Sequence, residues 1–128
     1  MCFFLLKCKA PEEKKEEVPA TLNTSHLDAL YKEIQLGNDT VGIVHIYSEY
    51  PDYHLVGDED EGMACVDDAS RAAIFYLRQY KATNTTEYLH KGRMLIRFLL
   101  AMQASNGYYY NFIFPDGSIN EDGSTSIR

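Results

Sequence analysis

Asp67 and Asp68 stand side by side, four and three positions ahead of Arg71, at the head of the apolar run Ala72 to Leu77. Two carboxylates and a guanidinium so placed can cap a helix, or they can form the acidic rim of a site. Neighbouring side chains on a helix diverge by about 100°, so the two aspartates cannot serve each other as an acid/base couple. One of them would need a distant carboxyl. In the structural use, Asp67 caps the helix, Asp68 complements its dipole and Arg71 bridges back to either, each contribution being about 0.3–2 kcal/mol. Asp67 fits the cap, whereas Asp68 with Arg71 stands open to either use. Further along, Tyr108, Tyr109 and Tyr110 offer apolar faces on which a sugar ring can stack, and Asn111 offers a donor and an acceptor to hydroxyls. The alternative is that these aromatics pack into the domain and Asn111 bonds the loop backbone. Glu121 and Asp122 follow, either as exposed loop acids or as acids of a cleft.

These residues need elements to hold them. Periodicity predicts two helices, about residues 67 to 82 and 86 to 105, parted by "ATNTT", which suits a turn and an N-cap. In the first, Ala69, Ala72, Ala73, Tyr76 and Tyr80 form a stripe, while Ile74, Phe75 and Leu77 fill another side, so it should be an inner helix covered on more than one face. The second carries Leu89, Leu95, Ile96, Leu99 and Met102 on one side and His90, Arg93 and Arg97 on the other, as an outer helix does. After Gly107, "YYYNFIFPDGSINEDGS" predicts a short β-hairpin about "PDGS". Upstream, Thr24 or Ser25 can cap a helix through Leu27, Leu30, Tyr31 and Ile34, with Gly37 stopping it. Residues 40–50 are expected as strand or extended loop and 51–63 as loop.

Composition narrows the partners. With 128 residues, one core is expected. Twelve Lys and Arg against nineteen Asp and Glu, a net charge of -7, argue against nucleic acid. The three cysteines, Cys2, Cys8 and Cys65, are too scattered for a disulfide framework or a zinc site. The run Asp58 to Glu61 fails the EF-hand pattern, since Met63 falls where glycine is needed; counting from Asp116 puts Glu121 there. That run reads as a solvated loop or as the acidic lip of a cleft. His45, His54 and His90 lack paired ligand spacing, and neither metal nor cofactor is expected. No stretch reaches the roughly eighteen apolar residues of a membrane span.

At the start, "MCFFLLKC" precedes the charged, proline-bounded "KAPEEKKEEVPA". Residues 1–20 are thus expected to be a signal-like remnant and tether. Leu5 to Cys8 resembles the end of a bacterial lipoprotein signal, with Cys8 as lipid anchor; an exposed thiol is the other reading. The anchor would place the protein outside the cytoplasm, in a bacterial envelope, with the cytoplasm left open.

The stretch from Val66 to Ile113 resembles the helical-barrel domains of the six-hairpin glycosidase-like group, including those of some bacterial glycosyltransferase-type proteins. The matching words are Asp67, Asp68, Arg71 and Ala72, then Phe98, Leu99 and Gln103 with the spacing shifted by a residue, then Gly107, Asn111 and Phe112. The resemblance implies a mainly α fold: one or more helical hairpins of an incomplete α/α toroid, with a short β-hairpin after residue 107. Residues 21–128 would be the N-terminal part of such a domain, in a fragment of a longer protein. It further implies a carbohydrate-active parent with glycosidase-like hydrolysis, in which Asp68 and Glu121 supply carboxylate chemistry and Arg71, Tyr109 and Asn111 bind substrate. An inverting pair would need carboxyls about 6.5–9.5 Å apart. A non-catalytic glycan-binding or scaffolding domain is the alternative, and a plain helical interaction domain is the third reading.

Overall fold

The computed structural model describes residues 22–122. The expected signal remnant, tether and lipid anchor at Cys8 lie outside them.

Thr24 precedes a helix, α1 (Ser25–Leu30), but it ends after six residues. Tyr31–Leu36 continue as a strand, β1. It pairs antiparallel with β2 (Asp39–Val44), Tyr31 opposite Val44 and Leu36 opposite Asp39. Gly37, at φ 61°, and Asn38 form the two-residue loop, so the glycine expected to stop a helix instead turns a hairpin. A second hairpin joins β3 (Tyr47–Glu49), in the segment expected as strand or extended loop, to β4 (His54–Val56), in the segment expected as loop. β5 (Ala64–Cys65) then runs straight into α2 (Val66–Thr83), which ends at Asn84 in the left-handed region. α3 (Thr86–Ala101) follows, four residues shorter at its C-terminal end than the periodicity predicts. Last come β6 (Phe112–Ile113) and β7 (Ile119–Asn120), which form the hairpin expected after residue 107.

Three small antiparallel sheets therefore accompany the helices, in the orders β1-β2, β3-β4 and β5-β6-β7. The expected mainly α class, an incomplete α/α toroid, is wrong: the described residues form a mixed α/β fold. The reason lies in what covers the helical pair. α2 buries Val66, Ala69, Ala72, Ala73, Tyr76 and Gln79, and its small side chains admit α3, which buries Gly92, Leu95 and Phe98. A Cβ on Gly92 would come within 2.9 Å of the Leu77 side chain, so the helices touch closely. Against this pair lies the β1-β2 hairpin, with Val41, Ile43 and Val44 buried. Its Gly42 lies so close that an added Cβ would meet Met94 Cβ and the Tyr31 ring at 2.9 Å. The place where a toroid stacks a further helical hairpin is taken here by strands. Each fully buried branched or aromatic side chain in this core contributes about 1.5–3 kcal/mol.

The far side of α2 is less covered than its composition suggests. Ile74 is 56% exposed, and Phe75 and Leu77 are half-buried. The expectation of an inner helix covered on more than one face thus fails at Ile74, while α3 does present His90, Arg93 and Arg97 outward.

A polar clasp fixes α1 to the helical pair. Asp28 accepts hydrogen bonds from Thr24 Oγ1 at 2.6 Å, Tyr76 OH at 2.8 Å and Lys91 Nζ at 2.9 Å. Lys91, 13% exposed, also pairs with Glu87 at 2.7 Å and lies 5.5 Å from the centre of the Tyr76 ring. Charges this enclosed persist because each has a partner.

Candidate functional site

The short sheet β5-β6-β7 sets the neighbourhood of the candidate residues. Cys65 faces Phe112, and Phe112 faces Asn120. One row beyond, Val66 N–H donates to Asn111 O at 2.9 Å. The start of α2, the tyrosine-rich loop and the approach to Glu121 are therefore gathered at one end of one sheet. Strands in a ladder lie about 4.8 Å apart, so the two outer strands stand roughly 10 Å from each other.

Within that neighbourhood the side chains part company. The α2 N-terminus is capped by Cys65, whose Sγ accepts from Asp68 N–H at 3.5 Å, and not by Asp67. Burial pushes the Cys65 thiol up to about 11, which leaves it a packed, capping group and a poor nucleophile. Asp67 points to solvent, its side chain 72% exposed, and Arg71 bridges both acids, to Asp67 at 3.6 Å and to Asp68 at 3.4 Å. Asp68 and Arg71 thus satisfy one another on the surface.

Tyr109 and Tyr110 are half-buried and packed against the core, and the loop is tied down by Tyr110 N–H to Met102 O at 3.0 Å and Ala104 N–H to Tyr108 O at 2.7 Å. Tyr109 is consequently a packing residue, and only Tyr108 of the three is exposed. Asn111 is half-buried beside it.

Glu121 has a different setting. It lines an open hollow of about 480 Å³ together with Glu59, Asp60, Phe114, Ile119, Asn120 and Asp122. Phe114 and Ile119 give the hollow apolar surface, and four carboxylates line it. The opposite wall is the turn at Asp58, whose Oδ1 accepts from Asp60 N–H at 2.8 Å and Glu61 N–H at 2.9 Å. Buried Asn120 clamps that turn to β7, its Nδ2 donating to Asp60 O at 2.8 Å. The acidic run that fails as a calcium loop thus forms an acidic lip, the alternative left open by its sequence. Among the described residues no group of three His, Cys, Asp or Glu side chains is placed to hold a metal ion.

Sequence reasoning missed a second aromatic surface. Tyr47, Tyr50 and Tyr53 are exposed on the β3-β4 hairpin, Tyr50 by 83%, and the Tyr50 and Tyr53 rings stand at 89° with centroids 6.3 Å apart. Tyr47 OH donates to Glu61 at 2.7 Å, joining this hairpin to the acidic lip. The alternation of tyrosine with polar residues in "YSEYPDYH" was the available signal. Beside it His54 pairs with Asp52 at 2.8 Å and Glu49 at 3.4 Å, and the Asp52 carboxylate raises the His54 pKa.

Compared with known protein families and with curated protein sequences, the chain matches none. No helix among the described residues is long and apolar enough to cross a membrane.

Proposed function

We propose that the chain belongs to a carbohydrate-active protein and that its own part is to bind a glycan in the hollow beside β7. The observation that carries this reading is the setting of Glu121: carboxylates on both walls to accept hydrogen bonds from hydroxyls, with Phe114 and Ile119 as apolar surface. Sugars are recognised by that combination, because each ring has apolar C–H faces and an equator of hydroxyl donors. The volume falls within the range of about 300–1,000 Å³ usual for ligand sites. Asp68, Arg71, Tyr109 and Asn111 do not line the hollow.

Hydrolysis is the second reading, favoured by the acids of the Asp58 turn lying on the other wall from Glu121. In it, Glu121 and either Glu59 or Asp60 would act as the acid/base couple, and Asp68 would play no part. Titration of the 128-residue protein with neutral oligosaccharides, followed by backbone amide shifts, tests both. Saturable shifts at Phe114 to Asp122, weakened about tenfold or more in Glu121→Gln, support binding. Release of reducing ends, lost in Glu121→Gln and kept in Asp68→Asn, supports hydrolysis. Shifts absent for every glycan, or unchanged in Glu121→Gln, reject the hollow as a glycan site.

A further inference from the structure

The exposed face of α3 carries a feature that the glycan reading does not use. Thr86, Leu89, His90, Arg93, Met94 and Arg97 line a groove of about 260 Å³, sharing no residue with the acidic hollow. Arg93 and Arg97 are one helical turn apart, which places their Cβ atoms about 6 Å from each other on the same side. Both are exposed. His90, between Thr86 and Arg93 along the groove, is held by Glu33 at 2.7 Å. Among the described residues, Arg97 makes one long hydrogen bond, Nη1 to Thr40 O at 3.5 Å, and no ion pair, and Arg93 makes neither.

In a chain of net charge -7, with carboxylates available to bridge Arg71 and Lys91, two neighbouring guanidiniums with no carboxylate partner among the described residues stand out. Arginine side chains present rigid planar donor forks, and a pair one turn apart can grip one oxyanion from two directions. The half-buried side chains of Leu89 and Met94 give the groove an apolar floor. We propose that this groove is a binding site for a small ligand carrying an oxyanion on an apolar or ring-shaped body, with Arg93 and Arg97 holding the anion and Leu89 and Met94 under the body. The anion has two chemical sources, a phosphate or sulfate ester and a carboxylated sugar.

The test is a titration of the 128-residue protein at low salt with inorganic phosphate, inorganic sulfate and glucuronate, read by backbone amide shifts. Saturable shifts confined to Thr86 to Arg97 are expected. Each of Arg93→Gln and Arg97→Gln should weaken binding at least about tenfold, the loss of a charge-assisted hydrogen bond. Both positions are exposed, and thermal melts should show the variants folded. Arg78→Gln, an exposed arginine on α2, is the control and should change binding less than about twofold. Tighter binding of glucuronate than of phosphate assigns the anion to an acidic sugar, and the reverse order assigns it to an ester; either supports the site. Shifts spread over the whole surface, shifts that do not saturate, or an equal loss in Arg78→Gln would reduce the effect to net charge and overturn the proposal.

Discussion

Gly62 is the residue on which the acidic hollow depends. Its φ is 92°, and a Cβ there would lie 2.3 Å from the carbonyl oxygen of Ile113. Only a glycine lets the Asp58 turn close, through the reciprocal bonds of Asp58 and Gly62 at 2.8 Å, while the next residue, Met63, donates to Ile113 O at 2.8 Å. Gly62→Ala therefore meets backbone on one side and unfavourable dihedrals on the other. The expected loss is about 3 kcal/mol or more in unfolding free energy, measured by urea denaturation. Amide shifts should change from Asp58 to Ile113 together. An alanine variant as stable as the wild type would mean that the turn does not sit on β6. Cys65 makes a complementary point at this scale. A thiol is a weak acceptor, yet it displaces two adjacent aspartates from the cap, because strand β5 delivers residue 65 into the capping position with extended dihedrals. Sequence spacing could not distinguish an aspartate at the cap from one a turn later.

At the scale of elements, the clasp between α1 and the helical pair governs how stability depends on pH. Burial alone would raise the pKa of Asp28, but hydrogen bonds from Thr24, Lys91 and Tyr76 and the Lys91 charge outweigh it and hold the carboxyl below its ordinary value. A depressed carboxyl stabilises the fold above its unfolded value near 4, and the contribution is lost as pH falls through the lower folded value. Lys91 runs the other way: burial would lower it, but its bonds to Glu87 and Asp28 raise it. Burial, with Asp28 alongside, also raises Tyr76. Those contributions are complete below unfolded values of about 10 and disappear as pH rises through the raised ones. Asp28→Asn should cost about 1–3 kcal/mol at neutral pH. The gap between variant and wild type should narrow as pH falls below about 4 and close below the lowered folded value, where Asp28 is protonated and resembles asparagine. Unfolding free energies of the two proteins compared across pH check this, and a gap that stays constant into strong acid would show that the carboxylate charge is irrelevant to the clasp. β1 explains why this element arrangement was hard to read. Leu27, Leu30, Tyr31 and Ile34 satisfy helical spacing, but residues 31–36 find a better partner in 39–44, and tertiary pairing overrides a weak local preference. The dipeptide Gly37-Asn38 between two mixed runs was the hairpin signal.

For the whole molecule, the parts legible from sequence are those that local order alone determines. α2 and α3 are long and strongly periodic, and "PDGS" encodes its turn, so the helical hairpin and the last β-hairpin are found where expected. The hollow is assembled from residues 59–60 and 114–122, some sixty positions apart, and no local pattern announces that meeting. The same long-range assembly makes a prediction about cooperativity. Ile43 on β2 is fully buried in one core with Ala73, Tyr76, Leu95 and Phe98, residues that belong to both long helices. A helical pair that needed no strands would melt independently of the hairpin that covers it. Here the inner face of the pair is completed by strand side chains, so the sheets and helices should unfold as one unit. Ile43→Ala should lower stability by about 2–4 kcal/mol, the usual cost of emptying a packed site. Far-ultraviolet circular dichroism, which follows the helices, and tyrosine fluorescence should both shift to the same lower denaturant midpoint. A helical signal whose midpoint stays at the wild-type value in Ile43→Ala would show the strands to be a mere cover, and would restore the independent helical hairpin that the periodicity of residues 67–105 first suggests.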